Sequence, residues 1–300
     1  MSDQTTKKSL IKQAWLRVVL FGLFFSLIAA LVAVSASLAL TTAPAGDQSV
    51  NFLHSVRNLF NSSNLWLLCI VEIIIALISV GIFRTWIDRK NFSSLGWPFY
   101  DYWAEALTGL LTGAALAGVS ALLLFLSGRL SWVDINWDPQ TLALSGGSMF
   151  LLALAQELIF RGYILNNLLE AVPGKWIALA ISAFLFALFH VADPGITTIS
   201  FANFFLLGML LGVNYMYTKN LWYSILFHFS WNFFLGPVLG SRVNGLEGPS
   251  LLVAEVKGDF LLTGGDFGIE GSVLLIFLFL VSLLILGWAF QRKYSTAITS

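Results

Sequence analysis

The sequence predicts an all-α protein, a polytopic transmembrane helical bundle of about eight spans. Three observations carry that prediction. Hydrophobic residues make up 58% of the 300 and charged residues only 11%, with a mean hydropathy of +0.83, far from the balance of a soluble domain. Apolar runs of spanning length recur along the chain, matched to a hydrocarbon core about 30 Å thick. Lys and Arg collect in alternate loops, the pattern left when one loop face lies in the cytoplasm. The formal net charge is zero, which gives no electrostatic footprint for a nucleic-acid partner. A single cysteine, Cys69, excludes an internal disulfide and any CxxC metal or redox motif.

Residues 1–14 form a short polar leader with Lys7, Lys8 and Lys12, and 18–40 is a charge-free first span. Its Ala-rich end resembles a signal-peptide cleavage region, but the run is longer than such a peptide needs and reads as a retained span. A loop rich in Gly, Pro, Asn and Ser follows over 41–64, with His54 and Arg57. Span two, 65–83, is interrupted by Glu72 and closed by Arg84, Arg89 and Lys90. Span three, 104–126, carries Gly109, Gly113 and Gly118, residues small enough for close helix contact. Asp101 and Glu105, beside Trp103, read as a solvated interface before it. The loop 127–141, with Trp132 and Trp137, has the composition of an aromatic belt. Span four is 142–169, and Pro173-Gly174 turns the chain into span five, 176–191. Spans six and seven are 196–217 and 221–239, and a loop rich in Gly and acids leads to span eight, 272–290. No repeat or soluble segment interrupts this order, so 1–300 reads as one membrane domain.

On one side fall Lys7, Lys8, Lys12, Arg17, Arg84, Arg89, Lys90, Lys175, Lys219, Arg292 and Lys293; on the other only Arg57, Arg129, Arg242 and Lys257. Eleven against four, with Arg161 left inside, places both termini in the cytoplasm.

Chemistry concentrates in spans four, five and seven. Span four contains Gln156, Glu157 and Arg161 within Ala153-Leu-Ala-Gln-Glu-Leu-Ile-Phe-Arg-Gly-Tyr163. Glu157 and Arg161 are spaced i,i+4, close enough to pair on one helix face. Taken alone, they have a second reading as a buried salt bridge locking two helices. Span five ends in Phe186-Ala-Leu-Phe-His190, and span seven holds His228-Phe-Ser-Trp-Asn232, again i,i+4. A lone intramembrane histidine usually makes an interhelical hydrogen bond worth about 1 kcal/mol or less. Several ionisable and amide groups on three core helices point instead to a site. Glu157 lies 13 residues from Glu170 and His190 lies 15 from Lys175, roughly 20 Å of helix each. His228 is only nine residues past Lys219, so its helix must tilt or start late to reach that depth.

A carboxylate and an imidazole can activate water while a second imidazole and an amide hold an oxyanion. Zinc bound by Glu157, His190 and His228 would use the same residues. So would a proton relay in a transporter. These readings stay open on residue type alone.

The order Gln-Glu-x-x-x-Arg, Phe-x-x-x-His, His-x-x-x-Asn, one motif to a span, resembles the CPBP family. That family includes the CAAX-processing Rce1-type endopeptidases and the bacteriocin-processing, or Abi, proteins of bacteria. The similarity covers a core of about 142–240. It implies an intramembrane peptidase of a bacterial cytoplasmic (inner) membrane, acting on a membrane-associated peptide or protein amid lipid. It also implies glutamate-activated water with no metal favoured, zinc being the alternative. Glu157 and Arg161 would then be the orienting pair, His190 would assist water activation, and His228 with Asn232 would form the oxyanion site.

One position departs from the family. Its first motif usually opens with two glutamates, the first taken as the base, and here that place is held by Gln156. An amide accepts no proton, and Glu157 points about 100° away on a helix. The chain is then a natural pseudoenzyme, a variant using another carboxylate, or a deliberately inactivated form. A membrane binding or scaffold protein of the same fold is the non-enzymatic alternative. Glu72 reads as a hydrogen bond to a neighbouring helix, a partner for Arg161, or a substitute carboxylate.

Overall fold

The computed structural model describes residues 9–41 and 65–296. Lys7, Lys8 and the loop 42–64 with His54 and Arg57 lie outside the described residues. Eight helices form the bundle: α1 (Ala14–Thr41), α2 (Leu65–Ile82), α3 (Trp103–Leu126), α4 (Pro139–Ala171), α5 (Lys175–Phe189), α6 (Thr198–Gly212), α7 (Trp222–Phe233) and α8 (Val273–Thr296). Among the described residues, seven segments are long and apolar enough to cross a membrane, and α7 is not one of them. The expected seventh span is present as α7 with a π-helical turn at Phe234–Val238, a shorter crossing than the others.

The reason α7 is short lies at its start. Leu221 N donates to Gly96 O at 2.9 Å, Asn220 Nδ2 to Pro98 O at 2.7 Å, and Trp222 Nε1 to Trp97 O at 2.8 Å. These bonds tuck Lys219–Trp222 against residues 96–98, and Asn220 and Leu221 are buried. Gly96 makes the approach possible, with φ +107° and no room for a Cβ, which would sit 2.1 Å from Lys219 O. The helix therefore starts late, as the depth of His228 requires.

Local sequence sets the other starts. Asp138 caps α4, accepting from the backbone N–H groups of Gln140 and Thr141, with Pro139 in the first turn. Thr197 and Ser200 close a capping box on α6.

Close helix contact rests on small residues. A Cβ on Gly109 would meet Tyr223 O at 2.2 Å, and one on Gly113 would meet Phe227 O at 2.4 Å, so α3 and α7 touch backbone to backbone. Gly208 does the same against Ala183, joining α6 to α5. Gly118, expected to act with the first two, faces open space.

At the end of the bundle holding both termini, Asp88 accepts from Arg17 Nη1 and Arg84 Nη1, each at 3.2 Å. Tyr163 Oη at 3.2 Å and Asn167 Nδ2 at 3.4 Å complete its shell. Two of the expected loop cations, Arg17 and Arg84, are therefore buried ties between α1, α2 and α4. Glu105 is buried too, held by Lys293 and Tyr294 of α8. It is an anchor for the last helix, in place of the solvated group expected.

The opposite end is capped. Strand β1 (Leu130–Ile135) pairs antiparallel with β2 (Leu252–Val256), with a bulge between Trp132 and Asp134. Both stretches read as loops in the sequence, because each is short and its partner lies more than a hundred residues away. The segments on both sides of β2 fold back over α6 and α7. Gly245, at φ +74°, passes so close to Pro194 that a Cβ would lie 2.2 Å from its carbonyl oxygen.

Candidate active site

Gln156 and Glu157 end the regular α-helical part of α4, and Leu158–Leu165 continues as a π-helix. Such widened turns often occur at functional sites. Across the junction Arg161 Nη1 still reaches Glu157 Oε1, at 3.0 Å. Arg161 Nη2 donates to Gly208 O of α6 at 2.7 Å, and its guanidinium lies 4.9 Å from the Phe186 ring centroid. The same Glu157 Oε1 accepts from His228 Nδ1 of α7 at 2.8 Å. That carboxylate oxygen therefore ties α4 to α7, and Arg161 carries the link on to α6. Glu157 Oε2 is buried with no partner.

His190 ends α5. Its Nδ1 faces Asp193 Oδ2 at 2.7 Å, its ring stacks on Phe204 at 4.3 Å, and Phe186 meets it edge-on at 4.9 Å. Phe186 also lies 5.9 Å from the His228 ring, so one aromatic ring separates the two imidazoles and underlies Arg161. Each imidazole has its Nδ1 on a carboxylate, which assigns the Nδ1–H tautomer to the neutral ring and leaves Nε2 to face outward. His190 Nε2 has no partner, nor does Asn232 Nδ2.

All six motif residues are buried at 2% exposure or less. The motifs thus meet inside the bundle and none of them faces lipid. Gln156 and Glu157 diverge as neighbouring helix residues must. Glu157 turns to Arg161 and α7. Gln156 turns to α2, where its side chain lies beside Glu72. Arg161 is held by Glu157 and Gly208, so Glu72 is not its partner. Glu72 is also within electrostatic reach of His190 and Asp193.

Two further acids escaped the sequence reading. Asp193 follows His190 by three residues in a loop, a spacing that could have been read as a histidine–carboxylate pair. Glu270 stands just before α8 in a Gly-rich loop that reads as exposed, and nothing local signals its burial. Its Oε1 accepts from Trp231 Nε1 at 2.9 Å and its Oε2 from Asn244 N at 2.7 Å. Asn203 Nδ2 of α6 bonds its backbone oxygen at 2.8 Å. Burial pushes the Glu270 carboxyl above the ordinary carboxylate range. This residue bolts the outer loop to α6 and α7, above the histidines.

Among the described residues, no group of three His, Cys, Asp or Glu is placed to hold a metal ion. In the set Glu157, His190 and His228, one imidazole nitrogen bonds Glu157 directly and the other ring is turned to Asp193. As arranged, these three side chains do not converge on one point. A surface cleft lined by Asn136, Asp138, Thr141, Pro237 and Leu251 lies between the outer ends of α4 and α7, above the polar cluster.

A bundle of apolar spanning helices around a buried Glu–Arg–His–Asn cluster defines a polytopic helical membrane protein. Residues 138–234 match the family model described as type II CAAX prenyl endopeptidase, Rce1-like. That segment runs from the cap of α4 through α7 and contains all three motifs. Over that segment the chain is similar to the CAAX protease family. No curated protein matches the chain, and no solved structure does.

Proposed function

We propose that the chain is an intramembrane endopeptidase that hydrolyses a peptide bond of a membrane-associated protein or peptide. The observation that carries this reading is the shared Glu157 oxygen, which ties Arg161 and His228 into one rigid unit. His190, held by Asp193, turns Nε2 toward an attacking water. His228 Nε2–H and Asn232 Nδ2–H are the oxyanion donors. Because His228 Nδ1 is on Glu157, its Nε2 carries a proton only as imidazolium, a form that loss of hydration opposes and the carboxylate favours as charge develops on the oxyanion. Losing one such donor typically costs about 10²–10³-fold in turnover. No step in this reading uses a metal.

The excess of Lys and Arg at the end holding the termini supports a cytoplasmic face there, in a bacterial inner membrane. The roof formed by residues 242–271 then faces away from the cytoplasm.

Gln156 favours one competing reading, a membrane scaffold that kept the fold and lost the base. The two are separated with purified protein in proteoliposomes and a panel of hydrophobic peptides. The peptidase reading expects cleavage that disappears in His190→Ala. The scaffold reading expects none, with partner binding unaffected by that change.

A further inference from the structure

From the geometry of α2 against α4 we infer that Glu72 is the water-activating carboxylate, supplied from a different helix to the place beside Gln156. The inference rests on the peptidase reading and names the base of that same site.

Four acids surround the motif side chains, and three are already committed. Glu157 bonds Arg161 and His228 through one oxygen, and the adjacent guanidinium makes it a poor proton acceptor. Asp193 is turned to His190 Nδ1. Glu270 accepts from an indole and a backbone N–H, one on each oxygen. Of the four, Glu72 is the one that accepts from no charged group, histidine, indole or backbone N–H. Its contact is the neutral Gln156 amide, and its Oε1 is buried without a partner.

Its position suits the task. Glu72 shares a helix face with the buried residues Cys69, Ala76 and Ser79, so the side chain points into the bundle. It is nonetheless partly exposed, whereas Glu157 is sealed. Gln156 Oε1 and Glu72 Oε1 both lack partners. The carboxylate thus keeps an oxygen free next to the amide, within electrostatic reach of His190.

The reaction balances with these groups. Glu72 takes a proton from water as the hydroxyl oxygen bonds the scissile carbonyl carbon. The carbonyl π electrons move to oxygen, which His228 and Asn232 hold. Collapse reforms the carbonyl and breaks the C–N bond, and the proton on Glu72 passes to the leaving amine. One amide and one water yield one carboxylic acid and one amine, and Glu72 returns to its starting state.

The test measures peptide cleavage by the full chain in proteoliposomes. Glu72→Gln is nearly isosteric and should lower kcat by about 10²–10⁴-fold with KM little changed. The swap Glu72→Gln with Gln156→Glu returns a carboxylate to the same side-chain pair and should restore at least about tenfold of that loss. Glu72→Asp keeps the acid with a shorter reach and should retain measurable turnover, which separates chemistry from helix packing. Parental kcat in Glu72→Gln, or no restoration in the swap, overturns the assignment. An inactive parent with an active Gln156→Glu also overturns it, yet leaves the peptidase reading standing. If both are inactive, the peptidase reading fails and the assignment of Glu72 fails with it.

Discussion

His228 and Arg161 approach the same oxygen of Glu157, at 2.8 and 3.0 Å, from helices 71 and 4 residues away in sequence. The carboxylate is fully buried, so both donors are needed to offset its lost hydration. Glu157→Leu should destabilise the bundle by about 3–5 kcal/mol, because it strands a buried guanidinium. Glu157→Leu combined with Arg161→Met should cost clearly less. Unfolding in mixed micelles compares the two, and equal losses would show that the pair is not energetically coupled.

The contact between His190 and Asp193 fixes a tautomer, and its removal should be read in rate rather than in fold. Asp193→Asn preserves size but reverses the hydrogen-bond preference of the ring nitrogen. It should lower kcat by about 10²-fold or more with substrate binding intact. An unchanged kcat would place Asp193 outside the machinery.

Helix contact predicts a contrast between glycines of one helix. Gly113→Ala drives a methyl into the α7 backbone and should cost about 1–3 kcal/mol. Gly118→Ala meets nothing within 4 Å and should leave the melting temperature unchanged. Thermal unfolding of the two variants side by side reads the difference.

The roof should loosen as pH rises. Burial raises the Glu270 carboxyl above its unfolded value, so the folded loop prefers the protonated acid. Stability from that preference is complete below the unfolded value near 4.5 and is lost as pH climbs through the folded one. Hydrogen exchange over 242–271 should therefore become less protected, after correction for intrinsic rates, as pH rises through that window. Glu270→Gln should flatten the dependence.

The sequence's apolar runs and charge asymmetry were sufficient for the fold class because lipid leaves the chain few alternatives. The i,i+4 pairs were sufficient to put Glu157 with Arg161 on one face. What the sequence concealed depends on contacts between distant segments. The β1–β2 hairpin and the Glu270 bolt join residues far apart along the chain. The burial of Arg17 and Arg84 depends on Asp88, which reads as one more loop charge. Gln156 read alone is a lost base; only the packing of α2 on α4 supplies it with a carboxylate neighbour.

The central claim is tested most directly by incubating the full chain in proteoliposomes with hydrophobic peptides and identifying the products by mass spectrometry. The account predicts two product termini from one cleaved amide, cleavage abolished in His190→Ala and in His228→Ala, and an unchanged rate in excess chelator. Uncut peptide from the parent and from Gln156→Glu alike, or cleavage that survives loss of both histidines, would contradict it.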